Sequence, residues 1–170
     1  MIEAATPLVP ANPHGQDVTL TKEHLWQALV WKAEFAHLFV KPIVECRVIE
    51  RTDDGFLRQI MHEDSQGYQM IYERIFLDPM KSVRFLRLNG NVYGEIVNEI
   101  SAGDEVGLNF TFTFALAGEE HGSPKELAYK REFLEGYVVA ANNTLDAARE
   151  YVRTGIDPTA AETADARVTK

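Results

Sequence analysis

Ser123 to Thr154 reads SPKELAYKREFLEGYVVAANNTLDAAREYVRT. Reading it as one helix decides the fold. Ser123 stands at the N-cap, Pro124 at the first helical position and Glu126 three residues past the cap, the pattern of a capping box. No proline follows until Pro158, and Gly136 is the internal glycine. Leu127, Leu134, Val138, Ala141, Leu145, Ala148 and Val152 recur at three- and four-residue steps. Phe133, Tyr137, Ala140, Thr144 and Tyr151 widen that stripe. At about 1.5 Å per residue the helix is roughly 45 Å long. A helix so long and one-sided needs a broad apolar surface to lie on.

The chain upstream supplies one. Six runs read as strands: Ile43 to Arg51, Phe56 to Glu63, Tyr68 to Leu77, Val83 to Leu88, Val92 to Ser101 and Val106 to Leu116. Turn residues mark each join, among them Asp53-Asp54-Gly55, Asp78-Pro79, Asn89-Gly90 and Gly103-Asp104. The joins are too short for crossovers, so neighbouring strands run antiparallel. Ahead of them, Ile2 to Pro10 is expected to be a first strand. Thr21 caps a helix with Leu25, Trp26, Leu29 and Val30 at helical spacing. A short helical turn, Ala36 to Val40, ends before Pro42. The expected fold is α+β: a curved seven-stranded antiparallel sheet wrapped around the long helix, with two short helices after the first strand. Residues 1–155 are expected to form one domain, and 156–170 a disordered tail of Ala, Thr, Asp and Glu.

The totals bound the function. The net charge is -9 and the pI about 5.0, which argues against nucleic acid and anionic membranes. One cysteine, Cys46, cannot build a disulfide framework or a thiolate zinc site. It sits in a strand-like run and reads as a small apolar residue. The five histidines show no i, i+4 pairing on a helix, so no metal is expected. No Gly-rich phosphate loop and no serine elbow occur, and no cofactor is expected. No run reaches the roughly 18 apolar residues of a membrane span, and nothing at the N-terminus resembles a signal peptide. A cytoplasmic monomer or homodimer is the expectation.

The order of elements resembles the helix-grip fold of the START and birch-pollen-allergen (SRPBCC) superfamily. A narrower resemblance is to its AtaL-like family. It is carried by Leu20-Thr21 with Leu25-Trp26 and Leu29 through Lys32-Ala33, then Phe39 with Pro42-Ile43 and Cys46. Gly55 with Arg58, Glu73-Arg74, Val83 with Phe85, Asn98 with Ile100, and Phe110-Thr111-Phe112 complete it. The chain departs at Glu34 to His37, where the pattern has a turn-forming Asn-Pro-like pair. The resemblance implies an internal cavity for an apolar ligand. Superfamily members include lipid carriers, hormone receptors, polyketide aromatase/cyclases and a few lyases and hydrolases.

Strand phase picks out the polar groups that would face that cavity. Arg58 and His62 share a face with Phe56 and Ile60. Gln69 and Glu73 share one with Ile71 and Ile75, and Asn98 one with Ile96 and Ile100. A four-residue loop at Asp64 to Gly67 sets Arg58 opposite Glu73 and His62 opposite Gln69. A loop at Asp78 to Ser82 brings Arg87 beside Glu73. A two-residue Asn89-Gly90 hairpin would pair Phe85 with Gly94, Val83 with Ile96 and Arg84 with Glu95.

Two readings of this polar floor stand side by side. In one, Arg58, Glu73 and Asn98 are catalytic: an arginine holding an enolate, an asparagine donating to an oxyanion, and Glu73 as base. Arg87, Tyr137, Phe85, Ile96, Phe110, Phe112, Phe133 and His62 then contact the ligand. In the other, Arg58 and Glu73 are a satisfied ion pair holding two strands in register. The expected function is binding of a hydrophobic, oxygenated small molecule by a cofactor-independent cyclase, aromatase or dehydratase of secondary metabolism. The alternative is a non-catalytic carrier or sensor. A third reading is a core filled by Phe110, Phe112, Phe114, Phe133 and Tyr137.

Overall fold

A computed structural model describes residues 1–163. In chain order the elements are β1 (Ile2–Ala5), β2 (Val9–Pro10), α1 (Lys22–Glu34), a 3-10 turn (Ala36–Leu38), β3 (Ile43–Thr52), β4 (Gly55–Asp64), β5 (Gly67–Asp78), β6 (Ser82–Arg87), β7 (Val92–Ile100), β8 (Gly107–Leu116) and α2 (Pro124–Thr154). One antiparallel sheet runs β1-β8-β7-β6-β5-β4-β3, and β2 pairs with β8 beyond β1. The first strand of the sequence reading is therefore two short ones. Thr6 divides them by turning inward: its N–H donates to Phe110 O at 2.9 Å, and its Oγ1 accepts from Phe110 N at 3.0 Å.

The sheet grips α2. Leu108, Phe110, Phe112, Phe114 and Leu116 alternate along β8 and are all buried, as a strand with one face on the core requires. α2 presents Tyr129, Phe133, Ala140, Ala141, Thr144, Leu145 and Ala148 to them. The buried stripe is rotated from the expected one. Leu127 and Val152 lie at its rim and are exposed, because the aromatics at 129 and 133 take the inward face. Ser123 caps the helix, its Oγ accepting from Glu126 N at 3.2 Å. Glu126 does not close the capping box. Its carboxylate turns inward and accepts from Leu116 N at 3.0 Å and Gly122 N at 2.8 Å, pinning the end of β8 to the start of α2. Gly155 ends the helix in the left-handed conformation at φ 71°.

Strand pairing follows the predicted register at β4–β5, with Arg58 opposite Glu73, Ile60 opposite Ile71 and His62 opposite Gln69. Glu73 also faces Arg87 across β5–β6. The β6–β7 hairpin differs: Phe85 pairs with Ile96 and Val83 with Asn98, two residues from the expected register. Asn89 is the cause. Its side chain accepts from Tyr72 N at 2.7 Å and donates to Met70 O at 3.0 Å, so the turn is tied to β5 and opens wider. A slip of two keeps every side chain on its own face. At the other end of the sheet, β3 carries register shifts between Ile43 and Glu45 and between Val48 and Glu50.

The tail expected from 156 onward has a described path as far as Thr163. Thr159 is buried, and residues 160–163 form a helical turn placing Glu162 Oε1 3.3 Å from His37 Nε2. Residues 164–170 lie outside the described residues. No helix among the described residues is long and apolar enough to cross a membrane.

Candidate functional site

The polar floor forms because four elements each direct one long side chain under α2. β4 brings Arg58, β5 Glu73, β6 Arg87 and β7 Asn98; all four are buried. Arg58 donates from Nε at 2.8 Å and Nη2 at 2.6 Å, both to Glu73 Oε2. Arg87 Nε stands 3.5 Å from Glu73 Oε1. Burial works to raise the Glu73 pKa, but the two guanidiniums outweigh it and hold the carboxyl below its usual range. A carboxylate held this way is a weak base.

A fifth residue completes the cluster, and the sequence reading did not single it out. Lys32, in the last turn of α1, is buried, and its Nζ donates to Asn98 Oδ1 at 2.7 Å. The ammonium group lies 4.9 Å from the ring centres of both Phe85 and Phe110 and 5.8 Å from that of Tyr137. Burial, together with the nearby Arg58, lowers its pKa to about 7. The signal was in the sequence: Lys32 follows Leu25 by seven residues and Leu29 by three, which puts it on their face. Arg58 explains how the helix ends there. Its Nη1 donates to Ala33 O at 2.7 Å and approaches Lys32 O at 3.5 Å, satisfying carbonyls that a helix C-terminus leaves open.

Above the floor lies a cleft between the sheet and α2, lined by Val40, His62, Arg87, Tyr129, Phe133 and Tyr137, with Gly136 at its mouth. Its volume is about 40 Å³, room for a few waters. The space beneath is filled by aromatics. Phe133 stacks on Tyr137 at 3.8 Å between ring centres and meets Phe112 at 4.7 Å with the rings tilted by 40°, and Tyr137 meets Phe110 edge-on at 5.8 Å. The wide internal cavity implied by the resemblance is closed in this conformation. The filled core is what the structure contains.

Among the described residues, Arg87 Nη1 and Asn98 Nδ2 are buried donors in this region without a hydrogen-bond partner, and Arg87 Nε meets only the Glu73 carboxylate, at 3.5 Å. His62 is buried at the rim, with Nδ1 3.5 Å from Asp64 Oδ2. Burial and then Arg87 push its pKa down to about 4, so the ring is neutral at pH 7. Tyr129 donates from its hydroxyl to Asp64 Oδ2 at 3.0 Å. Burial pushes the Tyr137 phenol up to about 12, which keeps it a donor. Of the helix asparagines, Asn142 is exposed and bonds its own helix at Val138 O, while Asn143 reaches Phe39 O at 3.1 Å. The face of α1 also differs from expectation. Trp31 is buried, edge-on to Tyr151 at 5.3 Å, and Trp26 only half-buried. No group of three His, Cys, Asp or Glu side chains among the described residues could hold a metal ion.

The family model described as acetylaranotin biosynthesis cluster protein L, AtaL, matches residues 7–155. The chain belongs to the AtaL family. No curated protein matches it. Among solved structures, this AtaL-family chain is similar to the Zhui aromatase/cyclase from Streptomyces sp. R1128. The two are 17% identical with a TM-score of 0.63, over 91% of this chain and 96% of that one. TTHA0849 from Thermus thermophilus is 12% identical with a TM-score of 0.68, over 90% and 99%. Ara h 8.0201 is 14% identical with a TM-score of 0.52, over 85% and 95%. At these identities the likeness is one of fold: this chain shares the helix-grip architecture with the Zhui aromatase/cyclase and with Ara h 8.0201.

Proposed function

We propose that this AtaL-family chain binds a hydrophobic, oxygenated small molecule between α2 and the sheet, and acts on it as a cofactor-independent cyclase, aromatase or dehydratase of secondary metabolism. The observation that carries this reading is Arg87. It lines the cleft, its Nε faces Glu73 Oε1 at 3.5 Å, and its buried Nη1 has no hydrogen-bond partner among the described residues. Buried donors without partners are costly, and a carbonyl, phenolate or enolate oxygen would satisfy them. Asn98 Nδ2 offers a second donor for an oxyanion. Arg58 and Glu73 act by positioning: they fix Arg87 and the end of α1. The ligand displaces Phe133 and Tyr137, which fill the space in its absence. Phe85, Ile96, Phe110 and Phe112 form the apolar bed, and His62 stands at the entrance. The similar Streptomyces structure is an aromatase/cyclase and the family description names a biosynthesis cluster; both support chemistry over carriage. Localisation to the cytoplasm and a monomeric or homodimeric state are part of the same proposal.

Fluorescence titration with 1,8-dihydroxyanthraquinone tests the binding site. Wild type is expected to bind, and Arg87→Ala to weaken binding roughly tenfold or more, the value of a hydrogen bond to a charged group. Equal binding by both proteins would refute the assignment of Arg87 as the anchor.

A further inference from the structure

Lys32 is the one charged member of the cluster without an ion-pair partner among the described residues, its amine meeting only the neutral Asn98 Oδ1. Arg58 ties α1 to β5, Glu73 ties β5 to Arg58 and Arg87, and Asn98 accepts from Lys32. The amine has no ion-pair partner among the described residues, and burying a lone ammonium is expensive. The groups facing it are Arg58 and Glu73 from the sheet, Cys46 from β3 and the Tyr137 ring from α2. Burial, and then Arg58, bias it toward the free base against the opposing pull of Glu73 and Cys46, so a substantial share of it carries a lone pair at neutral pH. A desolvated lysine beside another cation is the arrangement that makes an amine nucleophilic. The position suits reaction as well as protonation state. Tyr137 lines the cleft on one side and stands 5.8 Å from Nζ on the other, so the way to the amine passes that ring. Asn98 Nδ2 is unpaired beside it and can donate to an oxygen at the same place.

We propose that Lys32 is a nucleophilic lysine that captures an aldehyde or ketone ligand as an imine, an inference that rests on the internal site described above. The Nζ lone pair forms a bond to the carbonyl carbon while the C=O π pair moves to oxygen. A proton passes from nitrogen to that oxygen, giving a carbinolamine. The hydroxyl then leaves with a proton as water, and nitrogen and carbon are joined by a double bond. Addition of water reverses the sequence and frees Lys32. No oxidant, reductant or metal is consumed. Asn98 donates to the oxygen while it carries negative charge. Phe85, Phe110 and Tyr137 keep bulk water from the imine. The substrate class narrows to carbonyl compounds with a flat apolar body.

The test uses 2-naphthaldehyde with sodium cyanoborohydride at pH 7 on the full chain, read by intact mass and peptide mapping. One reduced adduct per chain is expected, on Lys32, forming at least tenfold faster than on Lys22, Lys41, Lys81, Lys125 or Lys130. Lys32→Met and Lys32→Arg, each checked for folding by circular dichroism, are both expected to lose the fast adduct. Labelling spread over the surface lysines with Lys32 unmodified would overturn the proposal. Binding of 2-naphthol, which has the same rings and no carbonyl, separates the two levels. If 2-naphthol binds and Lys32 stays unlabelled, imine capture is wrong and the internal site stands. If 2-naphthol does not bind and Lys32 stays unlabelled, both fall.

Discussion

Lys32 Nζ and Asn98 Oδ1 meet at 2.7 Å beneath α2, joining α1 to β7 through a neutral acceptor instead of a carboxylate. Glu73, the carboxylate of the cluster, is committed to Arg58 and Arg87. The lysine thus holds a proton weakly, and this makes it a source of pH-dependent stability. Its folded pKa is about 7, against roughly 10.4 in an unfolded chain. Between those values the unfolded state binds the extra proton, so stability rises with pH. Lys32→Met is expected to abolish a slope approaching roughly 1.4 kcal/mol per pH unit. Urea unfolding of both proteins at pH 7, 8 and 9 measures it, and parallel pH profiles would refute it.

Glu73→Gln is expected to destabilise by roughly 3–5 kcal/mol, since it leaves Arg58 and Arg87 buried without their counter-charge. Adding Arg58→Met should recover part of that loss, a coupling that a double-mutant cycle reads directly. The acid limb has the same sign as that of Lys32, stability rising with pH, but lies in a lower pH window. Glu73 has a lowered folded pKa, so its stabilisation is present above roughly pH 4.3, the unfolded value, and disappears as pH falls through the folded one. Wild type and Glu73→Gln should therefore converge in acid.

Gly136 sits in the middle of α2 at the mouth of the cleft, and a Cβ placed there would meet nothing within 4 Å. Gly136→Ala is expected to raise stability by about 0.5–1 kcal/mol through helix propensity. The added methyl stands where a ligand would enter, so the same variant should bind 1,8-dihydroxyanthraquinone more slowly. Thermal unfolding and stopped-flow fluorescence check the two halves separately.

Glu126→Ala removes the acceptor for Leu116 N and Gly122 N. Two donors then lose their partner, and a loss of about 1–3 kcal/mol is expected for the buried one. The damage should localise. Hydrogen exchange is expected to accelerate at the end of β8 and the first turn of α2 and to stay unchanged in β4 and β5.

Most of the architecture was legible because local signals agreed with one another. Pro124 and Ser123 marked the start of α2. The alternation of Leu108 through Leu116 marked the strand it lies against. The Arg58–Glu73 pair was legible because a strand face has period two and the loop after Asp64 fixed the register. The β6–β7 slip was not, since Asn89 makes its decisive bonds to β5, a strand that nothing near it in sequence specifies. Lys32 escaped notice because a lysine on a helix reads as solvated, although its spacing from Leu25 and Leu29 placed it inward. The closed cavity was beyond reach for another reason. Counting aromatics on two facing elements gives the volume available to fill a space, and only the stacking of Phe133 on Tyr137 says that it is filled.

One last consequence belongs to the far rim of the sheet. Among the described residues, β3 (ten residues) ends the strand order without an outer strand. Its two register shifts, at Ile43/Glu45 and Val48/Glu50, interrupt the even spacing that an incoming strand would need. Exposed charges on Glu45, Glu50 and Arg51 add a second deterrent. The irregularity of β3 thus has a colloidal consequence: it makes the edge a poor template for a neighbouring copy's strand.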